Sequence, residues 1–156
     1  TVVDLVPEKY KHFNVFPVGR LDRDTEGLLI LTNDGQMAHN LLSPKKHVPK
    51  TYYAIIEGRV TQEDEKVFKD GVTLDDGYTT LPAHLDIVNS GEQSEIQLTI
   101  MEGKFHQVKR MFEAVGKKVK YLKRIKMGDL ELDPGLKPGE CKELSEEELY
   151  RLKKYT

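Results

Sequence analysis

Cysteine is almost absent. Its single representative, Cys141, has no partner in the chain, which excludes an internal disulfide and a cysteine-based metal site and fits a reducing cytoplasm. The five histidines are scattered without a pair at ligand spacing, so no metal centre is expected. No apolar run approaches the length needed to cross a bilayer. The opening Thr1-Val2-Val3-Asp4-Leu5 lacks a basic segment followed by an apolar core, so it does not read as a secretory signal. The chain begins abruptly, as a fragment would. Repeats, linkers and low-complexity segments are missing as well. A cytoplasmic protein without membrane contact is the expectation.

The 156 residues, 38% hydrophobic and 32% charged, suit one soluble domain large enough to bury a core without disulfides or metals. A net charge of −2 argues at first against a nucleic-acid partner, but the distribution argues for one. Between Lys104 and Lys126 nine Lys or Arg face a single acid, Glu113. Such a stripe can neutralise phosphates while the acidic remainder maintains solubility. The competing reading is an ordinary solvated charged face.

The patterning predicts an α+β chain. A short strand over 15–18 leads into a polar loop, and a central strand over 28–32 leaves it. Asn33-Asp34-Gly35 caps a helix through Leu42. The strand at 50–58 carries apolar residues on both faces, as a central strand does. Thr61 with Asp64 opens a helix ending at Gly71. A turn at Asp75-Asp76-Gly77 and a hairpin joining strands at 84–89 and 94–101 follow. Apolar residues at Phe105, Val108, Met111, Phe112 and Val115 form a helical stripe ended by Gly116. A strand over 119–127, two Pro-Gly turns and a helix capped by Ser145 complete a mixed, mainly antiparallel sheet with flanking helices. The loops at 19–27 and 102–106 can converge.

The polar loop is Gly19-Arg20-Leu21-Asp22-Arg23-Asp24-Thr25-Glu26-Gly27. It places two arginines, three carboxylates and a hydroxyl between two glycines, ahead of an apolar run. A loop pinned to a scaffold is a favoured place for reacting groups, which makes Asp22, Asp24 and Glu26 candidates. Asp and Thr are also ordinary turn formers, and a solvated loop is the plain alternative.

The stretch 19–29 resembles the signature of bacterial ribosomal RNA pseudouridine synthases. Lys50-Thr51-Tyr52 and Gly103-Lys104-Phe105-His106-Gln107-Val108-Lys109-Arg110-Met111 follow in the family's order. The His-Gln-Val-Lys-Arg form is most similar to the branch acting on small-subunit rRNA. The resemblance implies a single catalytic domain over 1–156, with an antiparallel sheet split by an RNA-receiving cleft. It also implies conversion of a uridine to pseudouridine without a cofactor, on ribosomal RNA or a small-subunit assembly particle; a monomer is the expectation. Members of this branch usually carry a small RNA-binding domain first, and nothing at 1–18 resembles it.

By the same resemblance Asp22 is the nucleophile, Tyr52 stacks on the uracil, and Lys109 keeps the Asp22 carboxylate charged. Arg20 takes the vacated place in the RNA or grips it, its alternative being a salt bridge to Asp24 or Glu26. Leu122 is an apolar shelf below the uridine. Arg23, Lys104, His106, Arg110, Lys123, Arg124 and Lys126 are candidates for RNA contact, mostly through phosphates. Asp22 could attack C1′, add to C6 of uracil, or take a proton from C2′; each needs an ionised carboxylate. Competing functions are a non-catalytic RNA-binding or ribosome-assembly factor, the same chemistry on large-subunit rRNA, and a hydrolase. The hydrolase needs two acids at a defined gap, usually from separate elements, which neighbours in one short loop do not supply.

Overall fold

A computed structural model describes Thr1–Thr156 throughout. After a short 3₁₀ turn at Val2–Leu5 and the one-turn helix α1 (Glu8–Lys11), β1 (Phe16–Pro17) enters the polar loop. The loop leaves through β2 (Glu26–Gly27) and β3 (Leu31–Thr32). Then come α2 (Gly35–Leu42), β4 (Lys50–Glu57), α3 (Gln62–Asp70), β5 (His84–Asn89) and β6 (Gln93–Ile100). The chain closes with α4 (Gln107–Ala114), β7 (Lys118–Met127), β8 (Leu130–Glu131) and α5 (Glu146–Lys153).

The main sheet runs β2-β7-β4-β6-β5, with β8 folded back on β7. Every pairing is antiparallel except β2 with β7. β4 is central, as its doubly apolar pattern predicts. Its Ala54 and Ile56 join Leu85, Ile96, Leu98, Ile100 and Leu122 in a core covered by α3 and α4 through Phe68, Met111 and Phe112. Phe68 and Phe112 meet edge-on, 5.1 Å between centroids, the favoured arrangement for two quadrupolar rings. A second core under α2 and α5 gathers Val18, Leu41, Val48, Met127, Leu130 and Leu152.

Local signals act where expected. Asp34 caps α2 by accepting from the Met37 amide at 3.0 Å. Thr61 with Asp64 and Ser145 with Glu148 form capping boxes. Thr73 bridges to Thr79 around Asp75-Asp76-Gly77.

Two expectations fail. The stretch 28–32 is not a central strand: β2 belongs to the main sheet, β3 pairs with β1 in a separate ribbon, and of Leu28 to Leu31 only Ile30 is buried. The chain crosses from one sheet to the other there, and each half takes its backbone partners from a different place. Phe105 is not part of the α4 stripe either. His106, at φ +47°, sits in the left-handed region and starts the helix at Gln107, which leaves Phe105 outside it and 74% exposed.

Candidate active site

The polar loop is held at both ends by backbone bonds. The Val18 amide donates to Ile30 O at 2.8 Å, tying entry to exit. Within the loop, the Thr25 amide donates to Asp22 O at 2.9 Å, closing a tight turn. At the exit, Glu26 and Gly27 lie beside Lys123 and Arg124 of β7. The Leu28 amide donates to Arg124 O at 2.8 Å, and Arg124 Nε returns a bond to Leu28 O at 2.9 Å. Gly27, at φ +116°, is needed there: a Cβ would stand 2.2 Å from Arg124 O. Asp22 therefore rides on a loop locked to β7.

This loop and the 102–105 turn converge, as expected, on a cleft of about 400 Å³ that Asp22, Tyr52, Leu122 and Arg124 line. Tyr52 and Arg124 are cross-strand partners on β4 and β7, two positions from the pair Ala54 and Leu122. They continue the core-facing row of Ala54 and Leu122 toward the cleft. Asp22 is about one-third exposed, with His106 Nε2 at 3.8 Å from Oδ1. Burial pushes the Tyr52 phenol up, with Asp22 adding to the rise and Arg124 opposing it. Arg124 is only 4% exposed, and its Nη2, like Thr25 Oγ1, is buried without a hydrogen-bond partner. Buried polar atoms of this kind are normally satisfied, and both residues line the cleft. An anionic carboxylate, a protonated phenol, a cationic donor and an apolar floor suit a flat polar ring beside a reacting carboxylate.

The remaining candidates are scattered. Lys109 pairs with Asp24, its Nζ donating at 2.6 Å, and so does not take Asp22 as its ion-pair partner. This cation holds the Asp24 carboxyl below the usual range. With Asp24 engaged, Arg20 and Arg23 stay exposed on the loop. Lys104 lies over the Tyr78 ring, 4.9 Å from its centroid. Arg110 reaches Asp75 and Asp76, each at 2.8 Å from Nη2. Lys123 and Lys126 stand opposite Tyr53 and Thr51, on the face away from Tyr52 and Arg124, Lys123 by alternation and Lys126 by a bulge after Arg124. The fold therefore divides the basic stripe between two faces. No three His, Cys, Asp or Glu side chains group as a metal site, and no helix is long and apolar enough to cross a membrane.

Two cleft residues escape the sequence reading. Lys50 shares a face with Tyr52 by simple alternation, a signal that was available. Burial lowers its ammonium, Arg124 adds to that, and Glu102 opposes it. Glu102 is buried and organises the turn: it accepts from the Tyr78 hydroxyl, from the Leu81 amide at 2.7 Å and from Gln107 Nε2 at 3.1 Å. Gln107 in turn accepts from the Lys104 amide at 3.0 Å. Gln107 is a near neighbour, but the Tyr78 and Leu81 partners come from a segment more than twenty residues away, which local sequence does not reveal.

A model of the RNA pseudouridylate synthase family matches residues 1–114. The chain is 55% identical over 153 residues to YtzG of Bacillus subtilis, an uncharacterized RNA pseudouridine synthase, covering 97% of this chain and 64% of that protein. It is 46% identical over 137 residues to the ribosomal small subunit pseudouridine synthase A of Vibrio parahaemolyticus, covering 87% of this chain and 58% of the relative. The chain thus spans about three fifths of the length of these curated relatives. A crystal structure described as a pseudouridylate synthase superposes with a TM-score of 0.90 at 38% identity, covering 97% of this chain and 65% of that one. The α+β fold with its mixed sheet and flanking helices is that of this structure.

Proposed function

Because the chain belongs to the RNA pseudouridylate synthase family, we propose that it isomerises uridine to pseudouridine in RNA, with Asp22 as the reacting carboxylate and small-subunit rRNA as substrate. One observation carries the reading: a carboxylate on a loop locked to β7 opens into a cleft walled by Tyr52, Leu122 and Arg124. The likeness to a ribosomal small subunit pseudouridine synthase supports the choice of RNA. In this proposal residues 1–156 form the catalytic unit.

The reaction breaks N1–C1′, turns the uracil and joins C5 to C1′; the C5 proton is lost and N1 gains one. Atoms and oxidation state balance without a cofactor. Whether Asp22 meets C1′, C6 or the C2′ proton, it reacts as an anion. The target base leaves its stack to reach the cleft, where Tyr52 supports one face and Leu122 the other. Arg124 Nη2 and Thr25 Oγ1 offer polar contacts inside. Lys109 acts through Asp24, holding the loop that carries Asp22, while Arg20 and Arg23 meet the RNA outside.

The test is release of tritium from small-subunit rRNA labelled at uridine C5. Release by the wild type and not by D22A, without free uracil, supports isomerisation. Salt-sensitive RNA binding with no release from any RNA sinks it and leaves a binding factor. Free uracil would instead mean hydrolysis.

A further inference from the structure

Phe105 is the most exposed large hydrophobic side chain of the protein, at 74%, yet it is tightly placed. Its ring lies on that of His106, centroids 3.8 Å apart and planes 18° from parallel. Arg110 Nη1 donates to Phe105 O at 2.8 Å while the rest of its guanidinium is clasped by Asp75 and Asp76 of the 73–79 hairpin. On the N-terminal side, the Glu102–Gln107–Lys104 bonds fix the same turn. His106 carries the left-handed φ of +47° that this presentation requires. An apolar ring on a flexible tip would need no explanation; one held out into water by a buried carboxylate and a clasped arginine does.

Two hollows meet at this ring. On one side is the cleft of Asp22 and Tyr52; on the other is a groove of about 490 Å³ lined by Asp75, Asp76, His106, Lys109, Arg110 and Glu113. Phe105 is the one residue that lines both. Lys104 and the exposed Arg20 supply positive charge around the mouth. The outer groove itself holds carboxylates, two of them already engaging Arg110, so it suits an uncharged ring better than a phosphate.

We infer that the Phe105–His106 pair is a stacking platform for the nucleobase next to the extruded one, a single-stranded RNA base seated in the outer groove. The inference rests on the reading that the main cleft takes an RNA uridine. Stacking on an aromatic face tolerates any base, because every base presents a π surface. The platform would therefore supply affinity and register for the nucleotide entering the cleft, without reading the neighbour's identity. The hairpin at 73–79, remote in sequence, sets the ring's height through Arg110.

The experiment measures binding of a single-stranded RNA with one central uridine to D22N protein, with and without Phe105→Ala, Phe105→Trp or Phe105→Tyr. Each other base of the RNA is replaced in turn by an abasic site. Phe105→Ala is expected to weaken binding about 5- to 150-fold, the range seen for loss of one base–aromatic stack, while Trp and Tyr restore it. One abasic position beside the uridine should weaken binding to D22N protein and have no effect once Phe105 is Ala. Affinity within about twofold on Phe105→Ala, or an unchanged abasic pattern, overturns the platform. Far-UV circular dichroism checks that the variants fold. Tritium release by protein with Asp22 intact separates the two readings: an abasic pattern that depends on Phe105 without release keeps the platform and rejects the isomerase, and release with an indifferent pattern does the reverse.

Discussion

Asp24 and Lys109 are separated by most of the sequence and meet at 2.6 Å. If Lys109 serves catalysis by steadying the loop through Asp24, removing either partner should do the same harm. K109M and D24N are each expected to slow turnover roughly 10- to 100-fold, the scale of a small misplacement of a reacting group, and the double variant should be no slower than the worse single one. Additive losses would mean that Lys109 acts on the substrate or Asp22 directly. A second residue-scale prediction concerns the turn. Its buried Glu102 accepts from Tyr78, and that hydrogen bond, more than burial, pushes the phenol from 10.0 up to about 12. The folded protein keeps a proton that the unfolded chain releases, so the bond's stabilisation is complete below pH 10.0 and is lost as pH rises toward 12. Glu102→Gln should move one phenol to an earlier position in an ultraviolet titration and flatten that part of the stability profile. Tyr121, pushed to about 12 by burial and by Glu26, should stay where it is and acts as the internal control.

Among the elements, β7 matters most to the site. On one face it supplies Leu122 and Arg124 to core and cleft; along its edge it receives β2 in the sheet's one parallel pairing. That pairing depends on Gly27, since a methyl group there meets the Arg124 backbone, with O at 2.2 Å and N at 2.6 Å. Gly27→Ala must push the strands apart and strain a positive φ. A loss of about 1–3 kcal/mol of stability is expected from overpacking alone, read by urea unfolding, together with slower turnover because the exit of the Asp22 loop moves. Unchanged unfolding and turnover would show that the junction yields without consequence. The predicted strand at 28–32 fails for a related reason. Its apolar residues were legible, but whether a run pairs along its length or hands over between two sheets depends on partners that periodicity does not contain.

For the molecule as a whole, charge placement decides how RNA can approach. The stripe from Lys104 to Lys126 is contiguous in sequence, yet alternation and a bulge in β7 send Lys123 and Lys126 to the face opposite Arg124. Lys104 stays at the cleft. K104E is expected to weaken RNA binding and to lower the slope of log affinity against log salt by about one for a lost phosphate contact. K123E and K126E should leave that slope nearly unchanged. Equal effects at all three positions would mean that RNA wraps both faces.

Much of the fold is legible in the sequence. The caps at Asp34, Thr61 and Ser145, the central position of β4 and the hairpin of β5 and β6 all follow from local chemistry and hydrophobic period. The resemblance of three short motifs singled out Asp22, Tyr52 and the His106–Arg110 segment. Those signals are short in range: a cap needs three residues, a strand face alternation, a motif its own spacing. Tertiary structure alone decided which carboxylate Lys109 would meet, that Arg124 would be buried with a free Nη2, that Glu102 would hold the turn, and that Phe105 would stand in water between two hollows. Each depends on a contact between distant segments, where burial and the satisfaction of polar groups are settled by what the rest of the fold brings alongside.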